Sequence, residues 1–492
     1  SRLRLFRTAF NPAVELPAIQ TNHQYHLLYA RDWLPTLVYV YDILYNVTPA
    51  AERERTERWL RQMTSTLARQ DVWERWKNTT HGSWQAAALG VVGAALQDDA
   101  MLALAEKRMR YQMQTLLGPE GFWAGGSLTL HYTATRAFLA YAEATLHNKV
   151  SAYSWCNTRG ESYLKNAVTA PLMLLDPFAE IPGNDHAETK TVPPDMCLIG
   201  ALRFNDALLA SIAFSQTTNV DEETLLMYFK LPDKIVRPQA RPPHSVICPT
   251  LGWAVLRTGI AAPEKDLYAR LDYGPQGDET GHADKLDLYF CGNGRRVMSC
   301  DDNYPPASPL RFEWAKQTLA HNTVVINYQS QLGASSIEDA SGVPGRLTLF
   351  DRMMGVSIVE AEAVMAYPNT TLRTYRRTVA MTDEYLLDVF NITSLRSFTA
   401  DWVMHGLGNA VTVSNAIHGE RSLNNDAIRT SLLGSSESGY KWIEDVTTYN
   451  ANEQWNAIWS SGLRTIMMGQ PGTRLITGRA GGTVAMEGMR VA

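Results

Sequence analysis

The sequence has few cysteines and no long hydrophobic run. Five cysteines occur in 492 residues, at positions 156, 197, 248, 291 and 300, and none belongs to a CxxC pair. A sparse, odd set of this kind excludes a disulfide framework and indicates buried thiols. No apolar run reaches the roughly 18 residues that a membrane-spanning helix needs.

An excess of charge of one sign is also missing. The formal net charge is -5, from 45 Lys and Arg against 50 Asp and Glu. This mild balance favours neither nucleic acid nor an anionic membrane surface as a partner. Flat rings, in contrast, are plentiful, with 13 Trp and 21 Tyr. Such rings serve core packing or stacking against sugars.

The hydrophobic pattern changes once along the chain. From about residue 20 to 230, apolar residues recur every three or four positions, as in DWLPTLVYVYDILYN and TATRAFLAYAEATLHN. This pattern predicts many helices joined by short loops, which indicates stacked helical hairpins or an α/α toroid. The prolines of LPDKIVRPQARPPHSVICP predict a linker. Beyond it the period falls to two, as in GRLTLFDRMMGVSIVEAEAVM, which predicts a large antiparallel β-sandwich.

The predicted architecture is therefore α+β and multidomain. An N-terminal α/α toroid, forming an incomplete barrel, occupies residues 1–232, and an antiparallel β-sandwich occupies residues 233–492.

Three potential metal ligands lie at the ends of successive predicted strands in the β half. His282 stands in TGHADKLDLYF, Asp301 follows RRVMSC, and His321 opens the apolar run of HNTVVIN. Two imidazoles and one carboxylate are a donor set typical of Zn²⁺. Taken alone, however, the spacing favours polar residues that cap strand ends over a metal site.

In the helical half, two loops run into apolar helices. WKNTTHGSWQAAALG and GPEGFWAGGSLTLHYTATRAF place His81 and Tyr132 near helix N-termini, where the loops of a toroid line a cleft. Gly82 would let a ligand approach the backbone beside His81. A tyrosine has an ordinary pKa of about 10 and is a poor base unless positive groups lower that value. Tyr132 alone could equally be a packed ring with its hydroxyl at the surface.

Five motifs in order carry a resemblance to a known family. YGPQGDETGHADKLDLYFCGNG and AKQTLAHNTVVIN resemble the β-domain signature of heparinase II/III-like polysaccharide lyases, and among these the oligoalginate lyases. TTHGSW and LHYTATRAF are similar to the helical-domain motifs of that family, and ADWVMHGLG is similar to its later strand ending in His. The matches run from about residue 78 to 406 and cover both halves.

The resemblance implies roles for the residues at the matching positions. His282, Asp301 and His321 would hold a structural Zn²⁺, which shapes the cleft rather than taking part in the chemistry. Tyr132 would be the catalytic tyrosine, and His81 would meet the substrate carboxylate or assist as base. The candidate second tyrosine is Tyr304. The predicted substrate-binding residues are Asn78, Thr80, Trp84, Asp185, His186, Gln276 and His405.

Two positions depart from the family pattern. Thr80 stands where the family usually has Asn, and Thr280 stands where it often has the first His of His-Gly-His. The way in which the substrate carboxylate is neutralised is therefore open. The departures indicate a different uronate or a weakened enzyme.

The resemblance predicts a polysaccharide lyase that cleaves a uronic-acid polymer or oligomer by β-elimination, leaving 4,5-unsaturated uronate ends. An alginate-type substrate is preferred, and glucuronan or a heparin-type glycosaminoglycan stays open. The alternatives are a glycoside hydrolase, which needs two carboxylates, and a non-catalytic uronate-binding protein. The loop acids of the hydrolase reading are Glu120, Asp185 and Glu188. We predict an anionic polysaccharide partner, no nucleic-acid or membrane partner, and a secreted or periplasmic location; a homodimer is left open.

Overall fold

The computed structural model describes most of the chain. The described residues are 28–147, 151–183, 191–216, 244–259, 264–275, 281–298, 304, 308–332, 343, 345–422, 425–480 and 490–491. Most of the predicted linker lies outside these ranges, and so does the predicted division at 232/233, which stays a prediction.

The packing of Cα atoms divides the chain into two units. The first, helical unit comprises Ser1–Ala124, Leu130–Ala170 and Pro193–Pro238, and the second, β unit comprises Gly125–Thr129, Pro171–Val192 and Gln239–Ala492. The order of helices first and strands second agrees with the change of period in the sequence. The segment Pro171–Val192, which lies within the helical half of the sequence, packs with the β unit.

Amphipathic and apolar helices build the first unit. They are α1 (Leu34–Leu44), α2 (Ala50–Ala68), α3 (Gln70–Trp76), α4 (Thr80–Leu96), α5 (Asp99–Leu116), α6 (Leu128–Ala144), α7 (Tyr163–Thr169), α8 (Pro194–Phe204) and α9 (Ala207–Gln216). Helix α4 is buried without a break from Thr80 to Gly93, as expected of a helix that is apolar on every side. Among the described residues, no helix has the length and apolar character needed to cross a membrane.

Small residues let neighbouring helices approach α4. A Cβ atom on Gly90 would lie 2.3 Å from Cδ2 of Tyr141 in α6, so the ring of Tyr141 occupies the space that a side chain would need. Between α4 and α5, Gln97 adopts a left-handed φ of 50°, and the Asp98 side chain accepts a hydrogen bond from the Met101 N–H at 3.1 Å. An αL residue and an N-cap thus separate two helices where the sequence has neither Gly nor Pro.

In the part of the chain that the structure describes, antiparallel strands and the helix α10 (Asp426–Leu433) build most of the second unit. The strands are β1 (Val246–Cys248), β2 (Trp253–Arg257), β3 (Tyr268–Asp272), β4 (Asp287–Gly292), β5 (Arg295–Arg296), β6 (Val324–Ile326), β7 (Arg346–Met353), β8 (Val356–Glu362), β9 (Leu372–Met381), β10 (Leu386–Ser394), β11 (Ala400–Trp402), β12 (Gly406–Leu407), β13 (Val411–Ser414), β14 (Ile417–Arg421), β15 (Ile443–Asn450), β16 (Trp455–Trp459), β17 (Arg464–Met467), β18 (Arg474–Ala480) and β19 (Arg490–Val491).

These strands form several sheets, and every pairing between them is antiparallel. The strand orders are β1-β2-β3-β4-β5, β10-β9-β8-β7, β11-β6, β12-β19-β18-β15-β14 and β13-β16-β17. Alternate residues of β8 and β9 are buried, which is the period of two that the sequence shows. Leu256 and Leu271 of the first sheet share one apolar core with Val359 and Tyr375 of the second.

A strap of chain, residues 171–183, is tied to the first sheet by side-chain hydrogen bonds. The buried side chains of Arg257, Tyr268 and Arg270 donate to its backbone carbonyls. Arg270 Nη1, for example, lies 2.6 Å from the carbonyl oxygen of Gly183. Because these donors are buried, the carbonyls of the strap replace the water that would otherwise bind them.

Substitution of Gly252 by alanine is expected to destabilise the β unit by more than about 3 kcal/mol. Gly252 has a φ of +73°, and a Cβ there would lie 1.7 Å from Cα of Gly274. Gly355 is the matched control, because its φ is +83° but nothing lies within 4 Å of the added Cβ. Gly355→Ala should therefore cost only the backbone strain, about 1 kcal/mol. Denaturant unfolding of both variants measures the difference, and equal losses would contradict the steric explanation.

Candidate functional site

His81 lies in the first turn of α4. Thr79 caps this helix: its hydroxyl oxygen accepts a hydrogen bond from the His81 N–H at 3.2 Å. The imidazole stacks on the indole of Trp76, with ring centroids 4.8 Å apart and an interplanar angle of 27°. A Cβ on Gly82 would lie 2.5 Å from the carbonyl oxygen of Trp76. Close packing within the helical unit therefore explains this glycine, which the sequence analysis assigned to the approach of a ligand.

Tyr132 lies near the N-terminal end of α6, and its hydroxyl is buried. No described residue forms a hydrogen bond with this hydroxyl or with that of Thr135, one turn further along the same helix. Burial raises the pKa of Tyr132 well above its ordinary value, Cys197 adds to the rise, and Arg136 opposes it. The phenol therefore holds its proton at neutral pH. Buried donors without partners are uncommon in folded proteins.

His131, next to Tyr132, ties the start of α6 to its surroundings. The Trp123 N–H donates to Nδ1 at 3.2 Å, and Nε2 lies 3.0 Å from the carbonyl oxygen of Ala167 in α7. Since a carbonyl can only accept, Nε2 carries the hydrogen and the ring is neutral. The sequence analysis missed this residue, although LHYTATRAF places a second polar ring beside the tyrosine. We assign His131 a positioning role.

The free energy of unfolding is expected to fall as the pH drops from about 6.5 to 4 because of His131. Burial lowers the pKa of His131 to about 4, and the hydrogen bond to Ala167 opposes this shift. Below about pH 6.5 the His131 imidazole binds a proton in the unfolded chain, whereas in the folded protein it does so only below about pH 4. The loss is on the order of 3 kcal/mol for this residue. Chemical denaturation across this range should show a shallower pH dependence in His131→Gln; an unchanged slope would contradict the assignment.

Three predicted substrate-binding residues stand near the start of α4. Thr80 and Trp84 are buried, and Trp84 Nε1 has no hydrogen-bond partner among the described residues. Asn78 is exposed, and its Oδ1 accepts a hydrogen bond from the Tyr111 hydroxyl at 2.7 Å. Trp84 therefore carries an unpartnered indole donor on α4.

Five predicted residues lie outside the described ranges: Asp185, His186, Glu188, Gln276 and Asp301. Thr280, one of the two departures, lies outside them as well. Tyr304 is described; it is half-buried and packs against an apolar cluster that contains Trp314.

His405, a predicted substrate-binding residue, is fully buried in the β unit. Its Nε2 lies 2.8 Å from the carbonyl oxygen of Leu319, and its backbone N–H donates to Oδ1 of Asn322 at 2.6 Å. These contacts favour a structural role over direct contact with a substrate.

The structure brings His282 and His321 together, with Asp284 as the third member of the cluster. One potential ligand atom from each of these residues lies within 4.8 Å of the other two. The two imidazole centroids are 5.2 Å apart. His321 Nε2 lies 3.0 Å from the carbonyl oxygen of Ala315, so Nε2 carries the hydrogen and Nδ1 is the ring nitrogen able to act as a metal ligand. A carbonyl that accepts from the other ring nitrogen commonly orients a metal-binding histidine.

The sequence analysis missed Asp284, and a signal for it was present. In TGHADKLDLYF, Asp284 follows His282 at a spacing of two. In an extended segment this spacing places both side chains on one face. The predicted carboxylate, Asp301, stays a prediction.

Backbone contacts hold the segment that contains His282 and Asp284. The Thr318 hydroxyl donates to the Ala283 carbonyl oxygen at 2.7 Å. The carboxamide of Gln331 pairs with the peptide of Lys285, accepting from its N–H at 2.8 Å and donating to its carbonyl oxygen at 3.0 Å. Hydrogen bonds within the protein therefore hold the segment that contains His282 and Asp284.

Burial and mutual repulsion disfavour the charged forms of the acids in this region. Burial, followed by the charge of Asp284, raises the pKa of Asp272 to about 7. Burial also raises the pKa of Asp284, which the neighbouring His321 and then Lys285 lower. A bound cation would stabilise these carboxylates.

Comparison with protein families identifies both parts of the chain. Residues 240–461 match the family described as Heparinase II/III-like, C-terminal, and residues 8–172 match the family described as Alginate lyase. The resemblance that the five motifs predict is therefore confirmed. The β half of the chain is thus similar to the one family and most of the helical half to the other.

Two curated proteins are similar over long stretches. An alginate lyase of Stenotrophomonas maltophilia is 25% identical over 431 residues, covering 77% of this chain and 54% of the relative. An exo-oligoalginate lyase of Saccharophagus degradans is 25% identical over 339 residues, covering 61% of this chain and 44% of the relative. The chain spans about half the length of the curated relatives it matches.

Solved structures share the fold. A heparinase III structure has a TM-score of 0.58 at 13% identity, covering 93% of this chain and 68% of the other. A heparan sulfate lyase from Pedobacter heparinus has a TM-score of 0.56 at 11% identity, covering 98% of this chain and 67% of the other. The chain has a heparinase-like fold of helices and antiparallel sheets.

Proposed function

We propose that the protein is a polysaccharide lyase that cleaves a uronic-acid polymer or oligomer by β-elimination. The observation that carries the proposal is the buried, unpartnered hydroxyl of Tyr132, which lies inside the segment that matches the alginate lyase family. An alginate-type substrate is preferred, because both curated relatives are alginate lyases. The heparan sulfate lyase is only 11% identical and supports the fold alone.

The chemistry of a uronate sets what the site must supply. The carboxyl group at C6 makes the C5 proton weakly acidic, and removal of this proton spreads negative charge onto the carboxylate. Hydrogen-bond donors aimed at the carboxyl oxygens stabilise that charge. An acid then protonates the glycosidic oxygen as it leaves C4. The product carries a 4,5-unsaturated uronate, and no water is consumed.

Tyr132 is the proposed acid. Because burial raises its pKa, the phenol is neutral before substrate binds and can give its proton to the leaving oxygen. When the C5 proton and the C4 oxygen lie on the same face of the sugar, one tyrosine can serve both roles within a single turnover: its phenolate removes the C5 proton, and the phenol so formed returns that proton to the leaving oxygen. When they lie on opposite faces, a second group must remove the C5 proton.

His81 is the proposed second group, acting as base or as a donor to the substrate carboxylate. Its place in the first turn of α4 puts it at a helix N-terminus, where backbone N–H groups favour an anion. Trp84 Nε1 is a further unpartnered donor on the same helix. Thr80 and Thr280 supply only hydroxyls where the family pattern has an amide and an imidazole, so we propose that His81 carries more of the carboxylate neutralisation in this chain.

Further residues are assigned to the proposed site by their positions in the sequence alone. Tyr304 is the candidate second tyrosine, and the contacts from loops and strands are assigned to Asn78, Asp185, His186, Gln276 and His405. Of these, His405 has the weakest support because it is fully buried.

We propose that His282, Asp284 and His321 hold a structural Zn²⁺, with Asp301 as a further candidate ligand. The donor set of two imidazoles and a carboxylate fits this ion, and so does the hydrogen bond that fixes the tautomer of His321. When bound, the ion would supply positive charge and geometric restraint to the surrounding acids.

The finer architecture and the setting are also proposals. The helices are proposed to form an incomplete α/α toroid, and the sheets a β-sandwich; the apolar core shared by the first two sheets supports the latter. An anionic polysaccharide is the proposed partner, and a secreted or periplasmic location suits an enzyme that acts on such a polymer.

Absorbance at 230–235 nm tests the proposed reaction. The purified protein is incubated with mannuronate- and guluronate-rich alginate oligomers, glucuronan, heparan and chondroitin chains. A rise on alginate supports the full proposal, and a rise on another uronate corrects the substrate. New reducing ends without absorbance would overturn elimination in favour of hydrolysis, and binding without either signal would indicate a non-catalytic protein.

A further inference from the structure

A single buried arginine, Arg377 in β9, contacts both segments of the candidate metal cluster. Its side chain is fully buried. Nη1 donates to the carbonyl oxygen of Leu286 at 2.6 Å and also to that of Asn322. Nε and Nη2 form a two-point ion pair with the carboxylate of Asp388, at 2.8 and 2.7 Å.

The two carbonyls stand directly beside the potential ligands in the sequence. Leu286 follows Asp284 by two residues, and Asn322 follows His321 by one. The same guanidinium nitrogen therefore fixes the end of the segment that contains Asp284 and the end of the segment that contains His321. Asp388 on the neighbouring strand holds the guanidinium plane in place.

The two segments also contact each other directly. The Asn322 N–H donates to the Asp287 carboxylate at 2.7 Å, and the Leu288 N–H donates to the Asn322 carbonyl oxygen at 3.2 Å. These bonds join the two segments as a pair. Arg377 adds a fixed reference in the sheet, because a guanidinium is planar and its donors keep a set geometry.

We propose that Arg377 is a positioning residue that sets the separation of His321 from Asp284 and so tunes the affinity of the metal centre. This inference rests on the proposed Zn²⁺ site. Partners outside the ligand set commonly change metal affinity about 10- to 100-fold when they are removed. A buried arginine whose only task was fold stability would leave the intrinsic affinity of the folded protein unchanged.

Competition with a chromophoric chelator measures the Zn²⁺ affinity of the full chain and its variants. We expect Arg377→Met to bind Zn²⁺ about 10- to 100-fold more weakly than the unaltered protein. Arg377→Lys should lose less, because an ammonium keeps the charge opposite Asp388 and reaches one carbonyl. The visible spectrum of bound Co²⁺ should change in the same order, which reports ligand geometry independently of enzyme activity.

Arg108→Met is the matched control for a general loss of stability. Arg108 is also buried and donates to backbone carbonyls, those of Leu67 at 2.6 Å and Ala68 at 2.8 Å, but it belongs to the helical unit. Its Zn²⁺ affinity should stay within about twofold of that of the unaltered protein.

The outcomes separate this inference from the zinc proposal. Unaltered affinity and Co²⁺ spectrum in folded Arg377 variants would overturn the positioning role while leaving the metal site standing. An equal loss in Arg108→Met would overturn it too, since the effect would then be general. No Zn²⁺ binding by the unaltered protein would overturn the metal site and, with it, this inference.

Discussion

Tyr132→Phe is expected to lower the rate of uronate cleavage by about 10²- to 10⁴-fold, the contribution typical of general acid–base catalysis. The substitution removes only the hydroxyl oxygen. No described residue hydrogen-bonds to that hydroxyl, so its loss leaves no buried partner unsatisfied. The free energy of unfolding should therefore stay the same or rise slightly. Activity and stability separate at this position, which distinguishes a catalytic hydroxyl from a structural one.

Tyr141→Phe is the matched control for this prediction. Tyr141 is a buried tyrosine of the same helix, and its ring occupies the space that a side chain at Gly90 would need. Removing its hydroxyl should leave kcat within a few fold of its original value. A Tyr132→Phe variant that retained full activity would show that another group protonates the leaving oxygen.

His321→Ala is expected to weaken Zn²⁺ binding by more than about 100-fold, beyond the usual effect of groups outside the ligand set. The substitution removes one of three candidate ligands, and the lost hydrogen bond to Ala315 costs only about 1 kcal/mol. Because other contacts fix the ligand segment, the variant should fold.

Metal analysis and thermal unfolding check this second prediction. The unaltered protein should contain about one Zn²⁺ per chain, and excess Zn²⁺ should raise its Tm because the ion binds the folded state. Neither effect should remain in His321→Ala. His418→Ala, which removes an exposed histidine of β14, should keep both. A metal-free unaltered protein that takes up no Zn²⁺ would refute the site.

The broad division of the fold could be predicted because period is a local property of the sequence. Alternation in β8 and β9 follows directly from one buried face. Other features depend on partners far along the chain. The burial of α4 on every side, for example, and the association of residues 171–192 with the β unit result from tertiary packing.

The candidate site shows the same difference. His282, His321 and Tyr132 could be predicted because each lies in a short sequence motif, and these motifs follow one another in the order expected of the family. The structure brings the two histidines together. Asp284 could not be predicted in the same way, because the prediction placed the ligands at the ends of successive predicted strands, and the carboxylate in that position was Asp301. Arg377 could not be predicted from its local sequence, where it is one charged residue within a strand. Its proposed role depends on hydrogen bonds to carbonyl groups 55 and 91 residues away in the sequence.

The strap has a practical consequence for dissecting the molecule. A fragment that begins at Gln239 would contain the whole first sheet but not residues 171–183. Arg257 and Arg270 would then lose the carbonyls that the strap supplies, and the guanidinium nitrogens that donate to those carbonyls would face either an apolar surface or bulk water. Such a fragment should be insoluble or only partly folded. A chimera that exchanges the β unit between relatives must therefore carry two separate pieces of sequence, since the unit is not one continuous stretch of the chain.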